Sequence, residues 1–221
     1  MKRLLTGSVL FLLIGAACLH ASSNIAYTDP ANQGTQAWGG NLALDFNVIS
    51  PITVTDLGVF NASGNGTIAG TIQVVIYNLG TNTQVTPIVT FHGNYAPAGL
   101  GFDVFQSIAP VVLQPGTYQV DAVGFSGVDL NGNLNTGSSS GPLLNGGGKL
   151  VFNGAAWDYS TVLDEPLTCD TCQPLPAQDS QFDVGTLMFG ATPVPEPGAF
   201  AFYGYGVIAM ITVLLRRKLA R

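Results

Sequence analysis

Between residues 42 and 48 the apolar side chains Leu42, Leu44, Phe46 and Val48 alternate with Ala43, Asp45 and Asn47. A two-residue period puts the first set on one face of an extended chain and the second set on the other, which a helix of 3.6-residue period cannot do. This predicts a half-buried strand that ends at Pro51. In the next run Ile52 and Val54 share one parity while Leu57 and Val59 share the other. One buried face then survives only if a β-bulge inserts an extra residue near Asp56. Turn-forming residues at 61–66 follow, and then a Val- and Ile-rich strand at 72–77. Further strands are expected at 85–91, 101–107, 111–113, 118–125, 149–152, 157–162 and 182–189. Ahead of the C-terminal tail no segment sustains a helical period. Many short strands joined by Gly, Asn and Pro turns predict an all-β fold, an antiparallel two-sheet sandwich of the jelly-roll or immunoglobulin-like kind.

Both ends of the chain differ from this middle. Lys2 and Arg3 precede an apolar run at 4–17, with the small residues Ala17 and Ala21 behind it, so residues 1–21 are expected to be a secretory signal peptide. At the other end the 18 residues 198–215 carry no charge. As a helix they measure roughly 27 Å, close to a hydrocarbon core of about 30 Å, which predicts a C-terminal transmembrane helix. The basic cluster Arg216, Arg217, Lys218 and Arg221 marks its cytoplasmic side. Just ahead of the helix stand Pro195, Glu196 and Pro197. Two prolines around a carboxylate hold an extended backbone of restricted geometry outside the bilayer, in a form a protease can read. A permanent anchor explains the helix alone.

Taken together, Pro195, Glu196, Pro197, the apolar stretch and the terminal Arg216, Arg217 and Lys218 resemble the PEP-CTERM sorting signal of bacterial surface proteins. The resemblance implies an exosortase-type membrane protease-transpeptidase as partner. It also implies a precursor held in the inner membrane by its C-terminal helix, then delivered to the cell surface or the extracellular space. The chain divides accordingly into a signal peptide (1–21), an ectodomain (22–192) and a sorting signal (193–221), the last comprising the motif 195–197, the helix 198–215 and the basic tail 216–221. Trp38-Gly39-Gly40-Asn41 leading into the first strand, the run 51–60, and Leu113-Gln114-Pro115-Gly116-Thr117-Tyr118 also look like ectodomains found ahead of such tails. That similarity implies an exported β-sandwich from a bacterium that makes extracellular polysaccharide, and it supplies no catalytic residues.

The ectodomain is long enough for one sizeable core, and its charge is lopsided. Of 7 Lys and Arg only Lys149 lies within it, and of 13 Asp and Glu only Glu196 lies outside, so its net charge is about −11. Nucleic-acid binding needs many Lys and Arg to neutralise phosphates, which excludes that class of partner. Cations and neutral polymers remain compatible with the charge, which also keeps an exported protein soluble.

Four groups of residues bear on chemistry. In Asp129-Leu130-Asn131-Gly132-Asn133-Leu134-Asn135 oxygen side chains recur at every second position, as hard Ca²⁺ ligands do. Asp129, Asn131, Asn133 and Asn135 are thus a candidate calcium loop, supplemented by a distant carboxylate such as Asp103 or Asp121. A glycine-rich loop tip explains the same residues. Cys169 and Cys172 are the only cysteines of the ectodomain, in proline-rich surroundings, and in an oxidising compartment they are expected to form a small disulfide. Zinc would need further Cys or His ligands, and only His92 is present. His92 has no nucleophile motif nearby, and nothing points to a Ser-His-Asp arrangement. The aromatic residues Trp38, Tyr95, Trp157 and Tyr159 form a candidate sugar-stacking set, with core packing as the alternative.

These readings point to a non-enzymatic, exported surface or matrix protein with a structural or adhesive role. The alternative is a carbohydrate-binding module that stacks sugars on Trp38, Trp157 and Tyr159, with or without Ca²⁺. Coplanar exposed aromatics would favour the second reading.

Overall fold

The computed structural model describes residues 23–28, 34–96, 102–133, 143–144, 147–167 and 184–191. The signal peptide, the sorting signal, Asn135, Cys169 and Cys172 lie outside the described residues. Within them the chain is all-β and antiparallel, as the alternation predicts.

The strands are β1 (Asn24–Ile25), β2 (Tyr27–Thr28), β3 (Leu42–Val48), β4 (Ile52–Phe60), β5 (Thr67–Asn78), β6 (Thr83–Gln84), β7 (Val89–Asn94), β8 (Asp103–Leu113), β9 (Gly116–Val123), β10 (Leu143–Leu144), β11 (Leu150–Trp157) and β12 (Gly185–Ala191). One sheet runs β1-β12-β4-β8. The other runs β11-β3-β9-β5-β6, with β7 also paired to β5, and β10 pairs with β2 apart from both.

Burial explains why the two larger sheets face each other. Leu44, Phe46 and Val48 of β3, Ile72, Val74 and Ile76 of β5, and Val120 and Ala122 of β9 are buried in one continuous core with Ile52, Val54, Leu57 and Val59 of β4 and Leu187 and Phe189 of β12. At about 25 cal/mol per Å² of apolar surface this contact is the main stabilising term of the fold.

The bulge expected near Asp56 is present. In both ladders of β4 the register passes from Val54 to Asp56 and leaves Thr55 unpaired, which returns Leu57 and Val59 to the core face occupied by Ile52 and Val54. Two expected breaks are absent. The strands expected at 101–107 and 111–113 are the single strand β8, which carries Pro110 at the register shift between Val111 and Ser107, where residues 108–110 stand against Thr55 outside the regular pairing and the missing N–H costs no ladder bond. Similarly, 149–152 joins the residues up to Trp157 in β11, where a register shift between Phe152 and Gly154 keeps the strand paired to β3.

Candidate functional site

Three aromatic residues meet at one corner of the sandwich. Trp157 ends β11, opposite Leu42 of β3; Tyr159 follows two residues later, and Trp38 lies in the segment that leads into β3. Beyond the ladder the two segments stay together, because Asp158 N–H donates to Asn41 O at 3.2 Å and Asn41 N–H donates to Ser160 O at 2.9 Å. Gly40 permits this close passage, since a β-carbon there would stand 2.1 Å from Asp158 O and 2.9 Å from Trp38 Nε1. Downstream, Ser160 N–H donates to Asp158 Oδ1 at 2.9 Å and Val162 N–H donates to Ser160 Oγ at 3.2 Å, two local side-chain bonds that shape the turn.

The ring centroids of Trp38 and Trp157 are 5.3 Å apart, those of Trp38 and Tyr159 5.1 Å, and those of Trp157 and Tyr159 5.5 Å. All three separations fall in the favourable range for aromatic pairs. Interplanar angles of 87°, 46° and 84° make the cluster a wedge rather than a flat platform. Trp38 packs against the core, Trp157 is 37 % exposed and Tyr159 is 78 % exposed. The wedge therefore has an anchored base and a solvent-facing tip; the rings are not coplanar, so they do not form the flat platform that a stacking module uses, and what they offer a partner is single-ring contact at Tyr159 and Trp157.

Tyr95 does not join this cluster. Its ring packs on Phe91 at 5.4 Å, and its hydroxyl accepts from His92 N–H at 2.9 Å. His92 is itself engaged, with Nδ1 2.7 Å from Gly70 O.

In the calcium-loop candidate the carboxylate of Asp129 accepts the backbone N–H groups of Ala69 at 2.9 Å and Gly70 at 2.5 Å. Asn131 Oδ1 accepts from Asn133 N–H at 3.0 Å, and Asn133 Nδ2 donates to Gln36 Oε1 at 3.3 Å. These side chains bind the loop to β5 and to the segment before β3, so a cation there would compete with hydrogen bonds already made. Among the described residues no three His, Cys, Asp or Glu side chains converge to hold a metal ion.

Sequence reasoning missed a second polar cluster, on the outer face of the six-stranded sheet. Asp45 of β3 pairs with Gln119 of β9, which pairs with Tyr77 of β5; Asp121 of β9 lies between Ala43 and Val75. Alternation predicts solvent on this face, yet residues 158–167 cover it. Asn41 Nδ2 donates to Val162 O at 2.8 Å, Leu167 N–H donates to Gln119 Oε1 at 2.6 Å, and Leu163 packs with Val75, Tyr77 and Val123. Asp121 and Gln119 are consequently buried. Burial, reinforced by the Asp45 and Asp158 carboxylates and only partly opposed by the Leu167 amide, pushes the Asp121 carboxyl well above its usual range. The Tyr77 phenol is pushed up to about 12, first by burial and then by the charges of Asp121, Asp164 and Glu165. Burial also raises Asp45, against a hydrogen bond of 2.7 Å from Gln119 Nε2.

In comparisons with known proteins, no family model and no curated sequence matches this chain.

Proposed function

We propose that this chain is a non-enzymatic, exported protein, delivered by an exosortase-type sorting signal to the cell surface or extracellular matrix, where its β-sandwich, of the jelly-roll or immunoglobulin-like kind, acts adhesively on polysaccharide. The observation that carries the adhesive reading is the convergence of Trp38, Trp157 and Tyr159, with Tyr159 left 78 % exposed at the tip of the wedge. A ring so exposed adds little to the core, and it stands ready to pack against an apolar sugar face. The charge supports a neutral polymer as partner, because an ectodomain with one basic residue and twelve acidic ones repels polyanions. For the sorting route, support comes from Pro195, Glu196 and Pro197 ahead of an uncharged 18-residue stretch and a basic tail.

Co-sedimentation of the purified protein with insoluble neutral polysaccharides tests the adhesive reading. The wild type should sediment with at least one of them, while Trp157→Ala and Tyr159→Ala remain in the supernatant. Failure of the wild type to bind any would leave a passive structural role.

A further inference from the structure

Residues 158–167 cross the outer face of the six-stranded sheet as a strap, held differently at its two ends. At the near end two main-chain bonds, Asp158 N–H to Asn41 O and Asn41 N–H to Ser160 O, tie it to the segment before β3, and Asn41 Nδ2 adds a bond to Val162 O. At the far end the fastening is one side chain of β9: Leu167 N–H donates to Gln119 Oε1 at 2.6 Å, and Gln119 Nε2 donates to Leu167 O at 3.3 Å. Between them Leu163 packs on Val75, Tyr77 and Val123 and keeps them buried. Asp121 lies two residues beyond Gln119 on the same face of β9 and is 0 % exposed.

Charge is arranged against this closure. The sheet contributes Asp45 from β3 and Asp121 from β9, and the strap brings Asp158, Asp164 and Glu165. Asp45 and Asp158 act on Asp121, while Asp121, Asp164 and Glu165 act on Tyr77 of β5. The neighbouring β11 contributes no ionisable group. No base answers these acids among the described residues. Lys149 donates to Ser50 Oγ at 3.0 Å and adjoins Leu150, which pairs with Val48 at the end of β3 away from Asn41. His92 Nδ1 is 2.7 Å from Gly70 O. The Leu167 amide alone eases a charge on Asp121, and Gln119 already engages it.

We infer that residues 158–167 form an acid-closed strap, hinged at Asn41 and released at its Leu167 end as pH rises, which covers or uncovers the apolar patch of Val75, Tyr77 and Val123. Burial and like charge on both sides of the contact favour the protonated Asp121 carboxyl while the strap is down. With the strap lifted, water restores it toward the ordinary value of about 4. The closed form therefore holds a proton that the open form gives up. The proton's contribution to closure is fully present below about pH 4, declines as pH rises, and is gone once Asp121 ionises in the closed form. The far end yields first because its fastening is a single side chain beside that carboxylate, whereas the main-chain bonds of Asn41 do not titrate. The inference is independent of polysaccharide binding.

The test is hydrogen exchange of the full chain, purified in detergent, between pH 5 and pH 8, with each rate corrected for the pH dependence of chemical exchange. Protection of peptides covering residues 163–167 should fall at least tenfold over that range, while peptides from β4 keep theirs. Asp121→Asn, neutral and of nearly the same shape, should remove the pH dependence and leave the strap as protected at pH 8 as the wild type is at pH 5. Asp158→Asn removes one like charge and keeps the side-chain oxygen that accepts the Ser160 N–H, so its fall in protection should be smaller than the wild type's. That variant carries the test should Asp121→Asn fail to fold. Protection of 163–167 that is constant with pH in the wild type, that falls only in step with β4, or that falls as steeply in Asp121→Asn or Asp158→Asn, overturns the inference.

Discussion

Gln119 holds Leu167 at two points: its Oε1 accepts the Leu167 N–H at 2.6 Å, and its Nε2 donates to the Leu167 carbonyl at 3.3 Å. Both residues are remote in sequence, so this side-chain amide pins the far end of the covering segment to the middle of β9. Replacing Gln119 by Ala removes the clasp and leaves part-buried Leu167 backbone groups short of these bonds, a loss of about 1–2 kcal/mol. Urea denaturation should show that loss, and hydrogen exchange should show lower protection in residues 160–167 than in β4. Equal protection in the variant and the wild type would mean that Leu163 packing alone retains the segment.

Tyr159→Ala separates binding from folding. Because the ring is 78 % exposed, stability should change by no more than ~0.5 kcal/mol. Polysaccharide binding should fall about tenfold, the equivalent of ~1.4 kcal/mol, as expected for loss of one aromatic contact. Thermal melts and co-sedimentation measured on the same preparation distinguish the two effects.

Gly124 follows β9 with φ of 104°, and a β-carbon on it would stand 2.1 Å from Thr71 O. Strain and a backbone clash both oppose any side chain there. Gly124→Ala should cost more than ~1 kcal/mol. Gly127→Ala, where an added β-carbon meets nothing within 4 Å, should be neutral or slightly stabilising. Matching melting temperatures for the two variants would refute the role assigned to Gly124.

Glu196 is the one charged residue between Asp183 and Arg216, so under the proposed sorting route recognition of the motif would rest on its carboxylate. Glu196→Ala should insert normally, because the apolar stretch and basic tail that set topology are untouched. Its precursor should accumulate in the membrane uncleaved. Intact mass in the native host is the measurement, and a wild-type protein that keeps its residues through Arg221 would identify a plain anchor.

The parts of the fold legible in the sequence are those set by local alternation. The switch of parity between Val54 and Leu57 locates the Thr55 bulge because one face of β4 must stay buried on both sides of it. Pro110 misleads, since its effect depends on its falling at the register shift between β8 and β4, and register is not local information. Trp38, Trp157 and Tyr159 are recognisable as sugar-binding types, but their meeting depends on Gly40 letting two distant segments pass. Asp121 reads as solvent-facing by its position in β9, and only residues some forty places later bury it.

The edges of the sandwich bear on how copies of this chain behave when crowded together. β8 bounds the four-stranded sheet and carries Pro110, while β1 and β6 at other margins are two residues each. Proline withholds a donor from an incoming strand, and a two-residue edge is too short to template one. β11 and the six-residue β7 are the longer exceptions, and each ladder carries a register shift, between Phe152 and Gly154 in β11 and between Ile68 and Ile72 opposite β7, which bends the row of amides a neighbour would need to match. Dense packing on a surface would therefore leave each sandwich a separate unit rather than a link in a continuous fibre.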